Sequence, residues 1–381
     1  MGACGPTAAL LLSLLAASLA TSSSSDSRPG TAAQPELRDE DFVVAISSAS
    51  SRLVLAQSTR AYRAGMRTLI MTSNASEVPS LNKVYGKYNE VYEHHPDETD
   101  PDPKNWHAKF PGDFRAAVAP FAAHRQYGDG YKWLLYGDDD TIFFLPGLRR
   151  LLSGFDPELP LALTDNLWYG SGHPRLEAYR CLPCGFNDSA LPAAQTNLSY
   201  TPRAACPYCT RAAACPPAEP ECTITGAHGG AGMVFSVGLM RRMPYDAALS
   251  CMNGIFHCSG GDCLVSQCIW KAGLGFTDPG HSLLHDNPLA HVLFDNMEAR
   301  FFLKNPIDQL VLGNCDADCR SAIRHAVSFH LRGKSFSSFG KAAAAMFGLA
   351  ESHAAAIEFL ALLADKASRA YRVAAVRKKE L

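Results

Sequence analysis

The chain lacks any imbalance of charge. Lys and Arg number 35 against 37 Asp and Glu, a formal net charge of −2, so no overall field draws in a polyanion. No basic stripe interleaved with aromatics occurs before the C-terminal tail, and nucleic acid is not an expected partner. Long apolar runs are also scarce. The clearest, Ala8 to Ala20, is interrupted by Ser13 and Ser18 and is too short to span a bilayer comfortably. Charged residues make up 19% and hydrophobic residues 47% of the 381 positions, a balance that excludes disorder throughout and allows one large core or two modest ones.

The apolar run is followed by Thr21 and a serine tract, and Ser18-Leu19-Ala20 has the small-residue pattern of a cleavage site. Residues 1–22 therefore fit a secretory signal peptide better than a short signal anchor, although no Lys or Arg precedes the run. Membrane attachment, if present, is expected through this N-terminal segment. Asn74-Ala75-Ser76, Asn187-Asp188-Ser189 and Asn197-Leu198-Ser199 match the N-glycosylation acceptor pattern. Of the 13 cysteines, Cys4 lies in the leader, which leaves an even number suited to disulfides in an oxidising lumen. Lys378-Lys379-Glu380-Leu381 resembles a retrieval signal of the endoplasmic reticulum with its second position altered. The secretory pathway, Golgi or endoplasmic reticulum, is the expected compartment.

What is present in abundance is acid at one point. Asp138, Asp139 and Asp140 are consecutive and sit between Trp133-Leu134-Leu135-Tyr136 and Ile142-Phe143-Phe144. Apolar runs of this kind read as buried strands, so the triplet falls where a strand ends and the chain turns. Like charges this close need water or a divalent cation to neutralise them, and in open α/β sheets ligands bind at the carboxyl ends of strands.

Around the triplet, strands alternate with helices. Residues 23–40 read as a flexible stem. Asp41 to Ile46 is a strand, Leu53 to Ala64 a helix and Thr68 to Thr72 a second strand, with an irregular segment after it containing Tyr85, Tyr88, Tyr92, His94 and His95. A helix from Asp113 to Tyr127 precedes the opening strand, and short elements are expected at Leu148 to Leu152 and Leu161 to Thr164. This is an α/β pattern with a mainly parallel, Rossmann-like sheet and helices on both faces. Residues 168–222 form a cysteine-rich insertion. Its Cys181-x₂-Cys184 and Cys206-x₂-Cys209 pairs suit a structural zinc or disulfides, and the leader and acceptor triplets favour disulfides that involve Cys215 and Cys222 as well.

Downstream, His228-Gly229-Gly230-Ala231-Gly232 runs into an apolar strand, which lets backbone approach a ligand or another strand. Gly260-Gly261-Asp262-Cys263 opens a helix over Leu264 to Lys271, where Asp262 is by default an N-cap. Val327-Ser328-Phe329-His330 closes the globular region at about residue 338. Residues 339–381 follow as an Ala-rich helix that packs on the body and ends in basic residues.

These motifs, Lys132-Trp133 with Gly137-Asp138-Asp139-Asp140-Thr141, then His228 to Gly232, then Gly260-Gly261-Asp262 with Cys268 and Gly273, then Ser328-Phe329-His330, occur in the order seen in Fringe-like β-1,3-glycosyltransferases. The chain resembles a plant or algal member of that family over about Asp41 to Lys334. The resemblance implies a GT-A type fold within a catalytic region at 41–338. It also implies an inverting transferase that uses a divalent metal, usually Mn²⁺, to move a sugar from a UDP-sugar donor to a hydroxyl of a glycan or glycoprotein acceptor. By the same carry-over Asp140 and His330 are metal ligands, while Asp138, Asp139, Gly230, Gly261 and, on the loop after the first strand, Arg52 are donor contacts. Asp262 is the base that takes the acceptor proton. The family commonly has two acidic residues side by side at this point, and here the second is Cys263. A lumenal carbohydrate-binding or chaperone-like relative without activity is therefore the alternative.

Overall fold

Strand β1, Phe42–Ser48, is buried along almost its whole length and pairs in parallel with β2, Arg67–Thr72, on one side and with β4, Trp133–Asp138, on the other. A central strand of this kind needs apolar residues on both faces, and its sequence supplies them in alternation. Val43 and Ala45 join Leu69, Leu134 and Tyr136 in one core, whereas Phe42, Val44 and Ile46 join Ile70, Trp133 and Leu135 in another. Each fully buried side chain of this size contributes roughly 1.5–3 kcal/mol, so the centre of the sheet carries the fold. The structure, a computed structural model, describes residues 36–95, 112–168, 181–191, 206–210, 226–255, 260–285, 291–295, 299–313 and 315–377.

Among the described residues the sheet has seven strands in the order β10 (Phe276–Thr277), β6 (Ala162–Leu163), β9 (Met233–Ser236), β4, β1, β2 and β3 (Glu90–His94). Helix α1 (Leu53–Ser58) connects β1 to β2, and helix α2 (Val78–Tyr85) connects β2 to β3 (Glu90–His94). Helix α3 (Asp113–Tyr127) then leads to β4, matching its expected bounds. After the acidic turn come β5 (Thr141–Phe143), α4 (Leu145–Leu152), β6 (Ala162–Leu163) and a small ribbon of β7 (Leu167–Trp168) with β8 (Gly226–Ala227). Strand β9 (Met233–Ser236) runs antiparallel to β4 and β6, followed by α5 (Val237–Arg242), α6 (Tyr245–Asn253), α7 (Gly261–Lys271) and β10 (Phe276–Thr277). The fold is thus α/β, with a mostly parallel mixed sheet and helices on both faces. Helices α3 and α7 cover one face, and α1 and α4 the other.

The last part of the chain, α8 (Ala299–Lys304), α9 (Ile307–Leu312), α10 (Ala317–His325), β11 (Ser328–His330) and α11 (Phe339–Arg377), builds a third core on Ile142, Phe144 and Phe329. Strand β11 pairs antiparallel with β5, His330 opposite Thr141. This pairing brings a residue from near the end of the chain onto the turn that follows β4.

The segment read as irregular after β2 is a helix and an edge strand. Its periodicity is hidden by Glu90, which is 1% exposed yet charged, because Arg60 and Arg63 both pair with it at 2.7 Å. The paired cysteines are disulfides, Cys181 with Cys209 and Cys184 with Cys206, so those thiols are not available to zinc. Cys215 and Cys222, expected among these bonds, lie outside the described residues. Cys251–Cys268 ties α6 to α7, Cys315 pairs with Cys319, and Cys263 is disulfide-bonded too. Of the glycosylation triplets, Asn187 is exposed, Asn74 is half-buried and Asn197 is not among the described residues. Disulfides and surface acceptor triplets fit an oxidising compartment.

The N-terminal placement of a membrane segment is not borne out. Ala8 to Ala20, like most of the stem and Lys378 to Leu381, lies outside the described residues. Among the described residues, the helix long and apolar enough to cross a membrane is C-terminal, Phe339–Ala370, with a mean hydropathy of 1.4. One stripe of it, Ala342, Met346, Leu349, Ala356 and Leu360, is buried on the body.

His353 in α11 stacks on Phe144 with ring centroids 3.8 Å apart, and its Nε2 donates to the Ile323 carbonyl at 3.1 Å. Burial pushes this imidazole down to about 4, only partly opposed by that hydrogen bond. The unfolded chain binds the proton more readily, so the stability contributed by neutral His353 is complete above a pH of about 6.5 and is lost as pH falls toward 4. Thermal unfolding at pH 7.5 and pH 5 should therefore show a larger loss for the wild type than for His353→Phe; equal losses would contradict this.

Candidate functional site

The order of the sheet locates the site. From β1 the chain winds outward through β2 and β3, then returns to place β4 on the opposite side of β1. The carboxyl ends of β1 and β4 flank this reversal, with Ser47 opposite Asp138, and such a switch point leaves a crevice for a ligand. The acidic triplet lies at its mouth.

The turn divides the three carboxylates. Asp139 points inward and is 2% exposed; Arg52 Nε donates to its Oδ1 and Oδ2 at 3.1 and 2.9 Å, the Arg52 Nη2 donates as well, and Ser48 Oγ donates to Oδ2 at 2.7 Å. Burial lowers the Arg52 pKa, but the hydrogen bonds and charge of Asp139 more than offset this and raise it above the ordinary value. Burial also pushes the Asp139 carboxyl up, against the opposing effect of Arg52 and Ser48. Asp139 and Arg52, expected as donor contacts, pair with each other, and Phe339 at the start of α11 lies over the guanidinium at 5.2 Å.

Asp140 and Asp138 face the crevice side. Asp140 Oδ2 accepts the Gly333 amide at 2.6 Å and lies 3.4 Å from Arg52 Nη2. Its Oδ1 is 3.3 Å from His330 Nε2, near enough to pair yet not aligned as a hydrogen bond, so Oδ1 is buried without a hydrogen-bond partner among the described residues. Burial opposes ionisation, but His330, the Gly333 amide and Arg52 together hold the Asp140 carboxyl down to about 2. Asp138 is half-buried, and burial followed by the charge of Asp140 pushes its carboxyl up to about 7. For His330 burial works the other way, yet Asp140 and Asp138 raise its imidazole above the ordinary value.

Asp138, Asp140 and His330 offer ligand atoms that all lie within 4.8 Å of one another. Two carboxylates and an imidazole form a donor set suited to a hard or borderline dication such as Mn²⁺. The Oδ1 of Asp140, buried and held only by a poorly aligned pairing with His330, supports the fit, because a weakly satisfied buried carboxylate oxygen is costly.

The glycine segment shapes this pocket. A Cβ on Gly230 would lie 2.3 Å from the His330 ring, so the imidazole rests directly on the Gly230 backbone. The Gly230 carbonyl also accepts Thr141 Oγ1 at 2.9 Å, which anchors the segment to the turn. Gly261 serves packing: its missing side chain lets α7 approach α3, where a Cβ would meet Ala116 at 2.6 Å. The N-cap of α7 is Gly260, whose amide is bound by Asp113 Oδ2 at 2.8 Å. Asp262, expected as an N-cap, instead reaches across with Oδ2 to the Gly229 amide at 2.8 Å, while Oδ1 accepts the Cys263 amide at 2.8 Å. It ties α7 to the segment beneath His330.

Several contributors lie outside the sequence motifs. Asp295 accepts the His330 amide at 3.0 Å and pairs with Arg332 at 3.1 Å, and with His228 and His330 it forms a second group of converging donors. Asp165 holds Leu293 and Phe294 by their amides at 2.6 and 3.1 Å and so fixes the approach to Asp295. Both acids sit in irregular chain, where no period marks them.

The chain matches no protein-family model, and no curated protein matches it at a significant level. The fold and site together define an α/β protein with a candidate dication centre at a sheet switch point. Replacing Gly230 by Ala should push His330 off Asp140 and weaken Mn²⁺ binding about 10–100-fold, the cost typical of losing support behind a ligand. Titration calorimetry of the two proteins checks this, and unchanged affinity would rule the arrangement out.

Proposed function

We propose that the chain is an inverting, divalent-metal-dependent glycosyltransferase of GT-A type that moves a hexose or N-acetylhexosamine from a UDP-sugar to a glycan or glycoprotein hydroxyl with a β-1,3 linkage, as its motif resemblance implies. The observation that carries this reading is the convergence of Asp138, Asp140 and His330, from turn and distant strand, over the Gly230 backbone at the sheet switch point.

Asp138, Asp140 and His330 would hold the metal, and the chemistry it supplies is charge stabilisation of a diphosphate leaving group. Arg52, locked to Asp139, keeps the turn rigid and adds positive potential behind it. Gly229 and Gly230 let Asp262 and the His330 imidazole seat directly on the backbone. Asp262 is the acceptor-side carboxylate; its two amide hydrogen bonds orient it, and its remaining lone pairs can take the proton of an incoming hydroxyl.

A second reading rests on the same residue. Both oxygens of Asp262 are engaged by backbone amides, and the adjacent position is a disulfide cysteine and not a second acid. A lumenal carbohydrate-binding relative without turnover fits those contacts.

Release of UDP from a panel of UDP-sugars with Mn²⁺ separates the two, since the binder gives none with any donor. Under the transferase reading Asp140→Asn, which keeps an acceptor for the Gly333 amide, should lower kcat/KM by about 10²–10³-fold with folding intact. Asp262→Asn should lower kcat by about 10²–10⁴-fold while donor KM stays unchanged. Undiminished transfer by Asp262→Asn would remove Asp262 from the role of base.

A further inference from the structure

Outside the candidate site, four histidines meet. His281 lies in the helical turn His281–Leu284, His285 just after it, His291 before the segment that carries Asp295, and His325 at the end of α10. Ring centroids of His281 are 4.7 Å from those of His285 and His325 and 6.1 Å from that of His291, and His285 stacks on His291 at 3.6 Å. Imidazoles gather this closely only when they are neutral or share a cation.

Two of them carry buried nitrogens with no hydrogen-bond partner among the described residues, His281 Nε2 and His291 Nδ1. His291 is 1% exposed. A buried, unpaired ring nitrogen is costly and needs an explanation. Ligand atoms of His281, His285 and His291 all lie within 4.8 Å of one another. His325 lies beside His281, and its Nδ1 donates to the Ser321 carbonyl at 2.9 Å, which leaves the Nε2 lone pair for another partner. A carbonyl on the second ring nitrogen is the usual support of a metal-bound histidine.

We propose that His281, His285 and His291 form a zinc site, with His325 or water in the fourth position. All the donors are imidazole nitrogens, which suit Zn²⁺ and disfavour Mn²⁺, Mg²⁺ and Ca²⁺. Asp316 and Asp318 act on His291 and supply negative charge near the ion, whereas Arg150 opposes it from the other side. Arg150 is occupied in part by the Arg324 carbonyl. One ring of the His285–His291 stack must turn for both lone pairs to point at one ion. Through His291 the ion would brace the segment leading to Asp295, which holds the His330 amide. The site does not depend on the proposed transferase activity.

The test is zinc uptake by the untagged full chain after treatment with EDTA, measured by calorimetry and melting temperature in excess Mn²⁺. One equivalent of Zn²⁺ should bind, raise the melting temperature and persist in His330→Ala. Zinc affinity should fall at least 100-fold in the double variant His281→Asn, His291→Asn. If that variant does not fold, Co²⁺ added to the wild type gives the decision, since a histidine-rich tetrahedral site yields intense visible absorption. No zinc uptake by the wild type, uptake lost in His330→Ala but kept in the double variant, or absence of the cobalt bands would overturn the proposal.

Discussion

The structure depends on how negative charge is managed where β4 ends. Three carboxylates in a row cannot all be buried, and the turn solves this by dividing them. Asp139 goes inside against Arg52 and Ser48, Asp140 is clamped by the Gly333 amide beside His330, and Asp138 stays half-buried. A buried bidentate pair such as Arg52–Asp139 gains little net stability but is costly to break. Its effect is to fix the turn, so that the two remaining acids face the crevice in one geometry.

That geometry is completed from far along the chain. Residues 328–339 return to the turn: β11 pairs with β5, the Leu331 amide donates to the Asp140 carbonyl at 3.0 Å, and Phe339 lies over Arg52. The third core, in which α11 buries one stripe on Phe144 and Phe329, holds this return in place. The C-terminal helix and the candidate metal site are therefore mechanically linked.

Much of the fold was legible in the residues, because the continuous apolar runs of β1, β2 and β4 read as buried strands and the helix Asp113–Tyr127 ends at a glycine, Gly128. The edge strand Glu90–His94 was hidden, since its buried Glu90 looks like a surface residue until Arg60 and Arg63 are brought to it. The triplet announced a charge problem, yet nothing in three identical residues says which one turns inward. Only the register of β4 against β1 decides that. Gly230 was legible as a position of close approach, but the His330 ring that rests on it comes from a hundred residues downstream. Asp165, Asp295, His285 and His291 lie in irregular chain, while His281 sits in a helical turn and His325 at a helix end, and they become visible as groups only when tertiary contacts gather them.

The central claim is that Asp138, Asp140 and His330 hold one divalent cation. Crystals of the protein soaked in Mn²⁺ and measured at the manganese absorption edge test it without reference to any activity. The account predicts an anomalous peak bounded by the carboxylates of Asp138 and Asp140 and the imidazole of His330. A peak located elsewhere, or none at saturating Mn²⁺, would contradict it.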